Sequence, residues 1–245
     1  EKMIDILIPT VAQGLLWALL ALGVYITFRV LDIADLSVEG SFPLGAAVAA
    51  TALVNGYGML IAFFLAAIAG ALAGIVTGFF TTRLKIPALL AGILTMIGLY
   101  SVNLHVMGKA NVALLRVDTI FSYAESFGMS ATVAMLTVGV VAAVFIGCLM
   151  YWFFGTEIGT AIRATGCNSQ MARAQGVNTN RMIVLGLLIS NALVALSGAL
   201  VAQSNGFADV GMGTGTIVIG LASVIIGEVL FGTKSFKNCL ISVIL

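Results

Sequence analysis

The chain alternates long apolar runs with short polar intervals, and the runs have membrane-crossing length. About 20 apolar residues cross a hydrocarbon core of about 30 Å, and runs of this kind occupy Pro9–Phe28, Met59–Thr81, Pro87–His105, Met129–Phe154 and Met182–Gln203. Shorter ones lie at Phe42–Asn55 and Thr214–Phe231. A last run begins near Asn238 and reaches Leu245, too short to span, so the final span is expected to be incomplete. The pattern predicts an all-α, polytopic transmembrane helical bundle of about eight spans, with residues 1–245 forming one transmembrane domain. Pro9, Pro43 and Pro87 each stand at the beginning of an apolar run, where a missing N–H costs nothing, so they are read as helix starts and not kinks.

Two polar, glycine-rich segments interrupt this pattern, Leu31–Gly40 and Asn205–Gly215. Both contain an apolar-Ala-Asp-apolar core, Ile33–Leu36 and Phe207–Val210. Paired interruptions on opposite faces are what an inverted internal repeat produces, with discontinuous helices around a transport site. The first segment carries Asp32, Asp35 and Glu39. One reading is a solvated turn that caps the next helix through Asp35 or Ser41. The other is a discontinuous helix on a translocation path, with Ser37, Glu39 and Gly40 nearest the substrate.

Within the spans Thr95, Asn103, Ser190, Asn191, Ser197, Gln203 and Glu228 must each find a partner or water, as interhelical hydrogen bonds or as pathway lining. The candidate path comprises Asp35, Ser37, Glu39, Gly40, Asn103, Asn191, Gln203 and Asn205. His105, the sole histidine, is read as an interface residue near a span end. Small residues recur every fourth position at Ala62, Ala66, Gly70, Gly74 and Gly78, a smooth face suited to close helix packing, either within the bundle or against a second copy.

The longest polar interval, Gly155–Arg181, has its own helix punctuation. Thr156 caps a first short helix through Thr165 that Gly166 stops. Asn168 or Ser169 caps a second, Ser169–Gln175, that Gly176 stops, and Asn178 and Thr179 cap the next span. Such a knob on a membrane protein is a docking surface.

Composition excludes a water-soluble domain: 61% of residues are hydrophobic, 9% are charged and mean hydropathy is +1.16. Alternating the spans places Arg29, Arg83, Lys85, Arg163, Arg173, Arg181, Lys234 and Lys237 on one side and only Lys2, Lys109 and Arg116 on the other. The positive-inside rule makes the first side cytoplasmic and puts the N-terminus outside. A net charge of +1 gives no sign of nucleic-acid binding. Cys148, Cys167 and Cys239 have no pairing or metal-binding spacing and are read as packing residues. The sequence has no GxxxxGK[ST] loop, nucleophile elbow, HExxH helix or metal cluster. No enzymatic activity, metal or cofactor is expected of this chain.

The run Gly159–Asn178, with G-T-x-x-R-A-T-G-x-N followed by A-x-A-Q-G-V-N, resembles the cytoplasmic coupling loop of bacterial ABC-importer permeases of the branched-chain amino acid and ribose type. Gly14–Ala50 resembles the first two membrane segments of that family. Its ADLSVEGSFPLGA stretch is similar to the subgroup linked to aromatic or other hydrophobic amino acids. With Ser197–Gly232, the resemblance extends over most of the chain.

It implies a permease subunit of a bacterial inner membrane that dimerises as a homodimer, with cytosolic ATPases that bind ATP and Mg and an extracytoplasmic solute-binding protein as partners. The positions carried over for coupling are Gly159, Arg163, Ala164, Gly166, Asn168, Ala172, Gly176 and Asn178, with Arg173 on the same helix. Cys167 stands where many relatives have an acidic residue, so that charge contact is not carried over. The alternative function is an ion- or proton-coupled secondary transporter using Asp32, Asp35 and Glu39.

Overall fold

A computed structural model describes residues 1–245 as an all-α helical bundle with two very short strands. In chain order the helices are α1 (Lys2–Tyr25), α2 (Val38–Val54), α3 (Met59–Thr82), α4 (Ala88–Met107), α5 (Ile120–Glu125), α6 (Ala131–Phe154), α7 (Glu157–Cys167), α8 (Ser169–Ala174), α9 (Thr179–Asn205), α10 (Thr216–Phe231) and α11 (Phe236–Ile244). Five are long and apolar enough to cross a membrane: α1 with its π-helical extension Ile26–Val30, α3, α4, α6 and α9. Helices α2 and α10 have only 17 and 16 residues. At about 1.5 Å per residue each is roughly 25 Å long, short of a full core. Both are short because each begins after an interrupted segment.

Two of the three prolines do not mark starts. Pro9 is inside α1, which begins at Lys2, and Pro43 is inside α2. The Asp5 carbonyl that Pro9 leaves without its i+4 donor lies on an exposed turn, so the helix passes through. Only Pro87 precedes its helix, as the N-cap of α4.

Helices α2 and α9 form the centre. Of the 17 residues of α2, 13 are buried, against 7 of 24 in α3 and 6 of 24 in α6, whose outer faces carry exposed Leu, Ile, Val and Phe suited to lipid. The small-residue stripe of α3 packs inside this bundle. A Cβ on Gly74 or Gly70 would run into the α9 backbone at Leu187 or Asn191. Polar side chains join helices here as well: Ser190 donates to the Gly23 carbonyl at 2.7 Å, Ser197 to the Leu16 carbonyl at 2.9 Å, and the Thr77 hydroxyl to that of Thr95 at 2.9 Å. Trp17 stacks on Phe42 with ring centroids 4.9 Å apart and joins α1 to the centre.

At one end of the bundle, strand β1 (Asn111–Ala113) pairs antiparallel with β2 (Phe207–Asp209), Val112 opposite Ala208. The other end collects the eight basic residues named above. There Arg29 bridges to Glu228 at 2.7 Å, and the Arg163 guanidinium lies 4.6 Å from the Phe236 ring centroid.

Candidate functional site

The two interrupted segments meet inside the bundle. The first leaves α1 through the π-turn, reverses at Asp32 with φ 53°, and starts α2 at Val38. The second descends from β2 through a glycine-rich turn to Gly215, the N-cap of α10. There the Gly215 N–H donates to Glu39 Oε1 at 3.3 Å, so the start of α10 faces the carboxylate in the first turn of α2. Gly213 is what allows the approach: a Cβ there would strike the Glu39 carbonyl and the Pro43 ring. Pro43 in turn has no N–H to offer that carbonyl across one helical turn.

Where these segments face α4 lies a cavity of about 400 Å³. Glu39, Gly40 and Pro43 form one wall, Met96, Tyr100 and Asn103 another, and Gly211 with Thr214 closes it from the second break. Asn103, 1% exposed, donates its Nδ2 to the Gly40 carbonyl at 3.3 Å. That bond fixes which way the amide points, and it leaves Oδ1 buried with no donor.

Four residues before Glu39, Asp35 has a different setting. It is fully buried, and its carboxylate accepts from the Ser37 N–H at 3.0 Å, from the Ser37 hydroxyl, and from Asn191 Nδ2 at 3.2 Å. Asn191 also donates to the Leu187 carbonyl at 2.9 Å and accepts the Ser41 hydroxyl. This cluster pins the first turn of α2 to mid-α9, and Asp35, Ser37 and Asn191 do not line the cavity. The N-cap of α2 is Ser37, with no side-chain capping bond, so neither Asp35 nor Ser41 is its cap. Gln203 accepts the Ile120 N–H at 2.9 Å at the hairpin end, and Asn205 is exposed at the end of α9. Of the eight candidate path residues, Glu39, Gly40 and Asn103 come together around the cavity. Asp32 is exposed, so the three carboxylates of the first break occupy three separate environments.

At the basic end α7 and α8 stand as the sequence pattern places them, with one difference. Thr156 Oγ1 accepts the Gly159 N–H at 3.3 Å, Asn168 Oδ1 the Met171 N–H at 3.0 Å, and Asn178 Oδ1 the Arg181 N–H at 3.3 Å. Gly176, at φ 86°, ends the second helix. Gly166 does not stop the first, which continues to Cys167. It serves close approach instead: a Cβ at Gly166 would collide with the Val30 carbonyl on the π-turn of α1. Helix α7 buries Gly159, Ile162 and Thr165, and Ala164 is half-buried. Helix α8 buries only Ala172 and exposes Ser169, Gln170, Met171 and Arg173. Arg173 Nη2 donates to Thr179 Oγ1 at 3.3 Å. Cys239 is buried, whereas Cys148 and Cys167 are exposed and are not packing residues.

Residues 6–242 match the family described as branched-chain amino acid transport system, permease component. The chain belongs to this permease family. It is 41% identical over 192 residues to a tyrosine transport system permease protein of Clostridioides difficile, a match that covers 78% of this chain and 62% of that protein. An uncharacterised protein of Rickettsia prowazekii is 36% identical, over 79% of this chain and 66% of that one. The autoinducer 2 import system permease protein LsrC of Yersinia pseudotuberculosis is 30% identical, over 73% and 49%. The permease thus spans about half to two thirds of the length of these relatives. No solved structure matches it.

Sequence reasoning did not single out Tyr100, Ser101, Gly211 or Thr214 as cavity residues of this permease, nor Ser41 as part of the buried cluster. A usable signal for the α4 wall was the spacing of Met96, Tyr100 and Asn103, which places them on one helix face. The proline four residues after Glu39 was a second signal, since it frees a carbonyl in the same turn.

Proposed function

We propose that this permease is the membrane-spanning subunit of a binding-protein-dependent ABC importer in a bacterial cytoplasmic membrane, translocating a hydrophobic or aromatic amino acid. A separate cytosolic subunit binds ATP and Mg and hydrolyses the nucleotide. The permease itself contributes no catalytic residue or cofactor. The basic end faces the cytosol under the positive-inside rule, and residues 155–181 form the coupling loop, with α8 seated on the ATPase. Coupling runs through Gly159, Arg163, Ala164, Gly166, Asn168, Ala172, Arg173, Gly176 and Asn178.

The observation that carries this reading is the contact of α7 with the end of α1 at Gly166 and Val30. From that contact only residues 31–38 separate α7 from Glu39 at the cavity. A displacement of α7 by the ATPase would therefore be delivered to the cavity wall through a short, broken segment. The cavity also opens alongside exposed Ile97 and Tyr100, the side on which a second permease copy would complete the path. The tyrosine transport relative supports an aromatic amino acid as substrate.

The competing reading, an ion-coupled transporter using Asp32, Asp35 and Glu39, is disfavoured by the separation of those carboxylates. ATP-dependent uptake by proteoliposomes holding the full-length permease, its co-purifying ATPase and the binding protein tests the choice. Arg173→Glu and Gly176→Pro should abolish uptake and release the ATPase. Normal transport by both variants, or uptake driven by an ion gradient alone, would overturn the importer reading.

A further inference from the structure

We infer that the cavity between α2, α4 and the second break is a station for the primary ammonium group of the transported amino acid, held by the Glu39 carboxylate and Asn103 Oδ1. The inference rests on the importer reading above and assigns chemistry within it.

Three observations converge. Glu39 carries a half-buried carboxylate where the two breaks meet, and the Arg29–Glu228 bridge is the structure's single ion pair, so no cationic side chain pairs with it. A carboxylate inside a membrane bundle normally faces a partner or a water-filled cavity. Its one protein donor is the Gly215 N–H on Oε1, which leaves Oε2 free. Asn103 Oδ1, on the facing wall, is a buried acceptor with nothing donating to it, although its amide orientation is set by Gly40. A native protein rarely leaves such an atom unpaired without an absent ligand or water in view.

Both unused atoms are acceptors, one charged and one neutral. A ligand group matching them presents several N–H donors and a positive charge, as a primary ammonium does with its three. The remaining surface suits the rest of an amino acid. Met96, Ile97 and the Tyr100 ring form an apolar wall, while Ser101 and Thr214 offer hydroxyl donors for a carboxylate. The volume of about 400 Å³ falls within the range of about 300–1,000 Å³ that accommodates small molecules.

The test is equilibrium binding to the full-length permease with its ATPase in lipid nanodiscs, without the binding protein, so that the permease's own preference is read. Four probes are compared: L-tyrosine, tyramine, 3-(4-hydroxyphenyl)propionate and sodium chloride. L-Tyrosine and tyramine should bind at least about tenfold more tightly than the propionate, the difference expected for a charge-assisted hydrogen bond. Glu39→Gln and Asn103→Leu should each abolish most of that preference.

Equal binding of tyramine and propionate overturns the inference, as does a Glu39→Gln protein that keeps the preference. Displacement of tyramine by sodium at matched ionic strength would mark a metal-cation site and overturn it too. Where a variant does not assemble, the wild-type comparison decides alone. Stimulation of ATP hydrolysis by the binding protein, measured on the same sample, separates the two readings. Stimulation without amine preference sinks the ammonium station and leaves the importer, whereas its absence sinks the importer.

Discussion

Asp35 and Glu39 sit four residues apart on the same broken segment, and the bundle treats them oppositely. Asp35 is sealed among Ser37 and Asn191, with donors to both carboxylate oxygens, and does not line the cavity. Glu39 receives one backbone N–H and otherwise faces open volume. A buried carboxylate that is fully satisfied positions structure, while one left with free acceptors waits for something else. The difference follows from the neighbouring helix. Asn191 on α9 donates to Asp35 while accepting from Ser41, whereas the α4 face opposite Glu39 offers Asn103, whose donor is already taken by Gly40.

The most forceful way to break this contrast is Asn191→Leu. It removes a donor from Asp35 and the acceptor of Ser41 while leaving the carboxylate buried. The expected cost is roughly 3 kcal/mol, since Asp35 Oδ2 and the Ser41 hydroxyl both lose their partner in a buried site. Fluorescence-detected size exclusion after a heat series should show a large loss of monodisperse protein at temperatures the wild type survives. A wild-type-like profile would mean that the cluster contributes little to the fold.

Gly166→Val comes next. The added side chain must push the end of α7 away from Val30, with a stability cost of about 1–3 kcal/mol by analogy with overpacked cores. Under the importer reading the transport defect should exceed the stability defect: the complex assembles and hydrolyses ATP, but uptake per ATP falls. Equal ratios of uptake to hydrolysis in variant and wild type would remove Gly166–Val30 from the coupling route.

Much of the fold was legible in the sequence because membrane helices need long apolar runs and their ends need polar caps. The capping residues Thr156, Asn168 and Asn178 each make the bond that their position predicts. What was not legible depends on contacts between distant segments. The role of Gly166 is set by Val30, over a hundred residues earlier, so locally it reads only as a helix stop. The pairing of Asn111–Ala113 with Phe207–Asp209 involves three residues per strand, too few to carry a periodic signal. Pro9 looked like a helix start because proline favours a first turn, but the mostly apolar stretch Met3–Ile8 before it is already helical, and the Asp5 carbonyl it leaves without a donor lies on an exposed turn. For the site, Glu39 and Asn103 were visible as polar residues in apolar surroundings, yet nothing local distinguishes Glu39 from Asp35. Only the partners on α4 and α9 do.

A third carboxylate sharpens the comparison at lower energy. Glu228 pairs with Arg29, whose side chain is 48% exposed at the basic end. Solvent screens such a pair, so Arg29→Ala should cost no more than about 1 kcal/mol. The same heat series should show a small shift that shrinks in high salt. A shift as large as that of Asn191→Leu would place this bridge among the interactions that hold the bundle together.

The smallest structural effect is expected at Glu39 itself. In Glu39→Gln the side-chain carbonyl can still accept the Gly215 N–H, and the isosteric amide introduces no clash, so stability should stay within about 0.5 kcal/mol of wild type. Asp35→Asn, equally isosteric, differs: its new NH2 group must replace one acceptor atom that now receives a donor, producing a buried donor-to-donor conflict on one side or the other. Side-by-side melts of these two variants therefore isolate environment from chemistry, because the atomic change is the same. A large loss for Asp35→Asn with none for Glu39→Gln assigns the first carboxylate to holding α2 on α9 and frees the second for a ligand; equal losses would show that both are structural and that the cavity wall is held by the same kind of bond as the core.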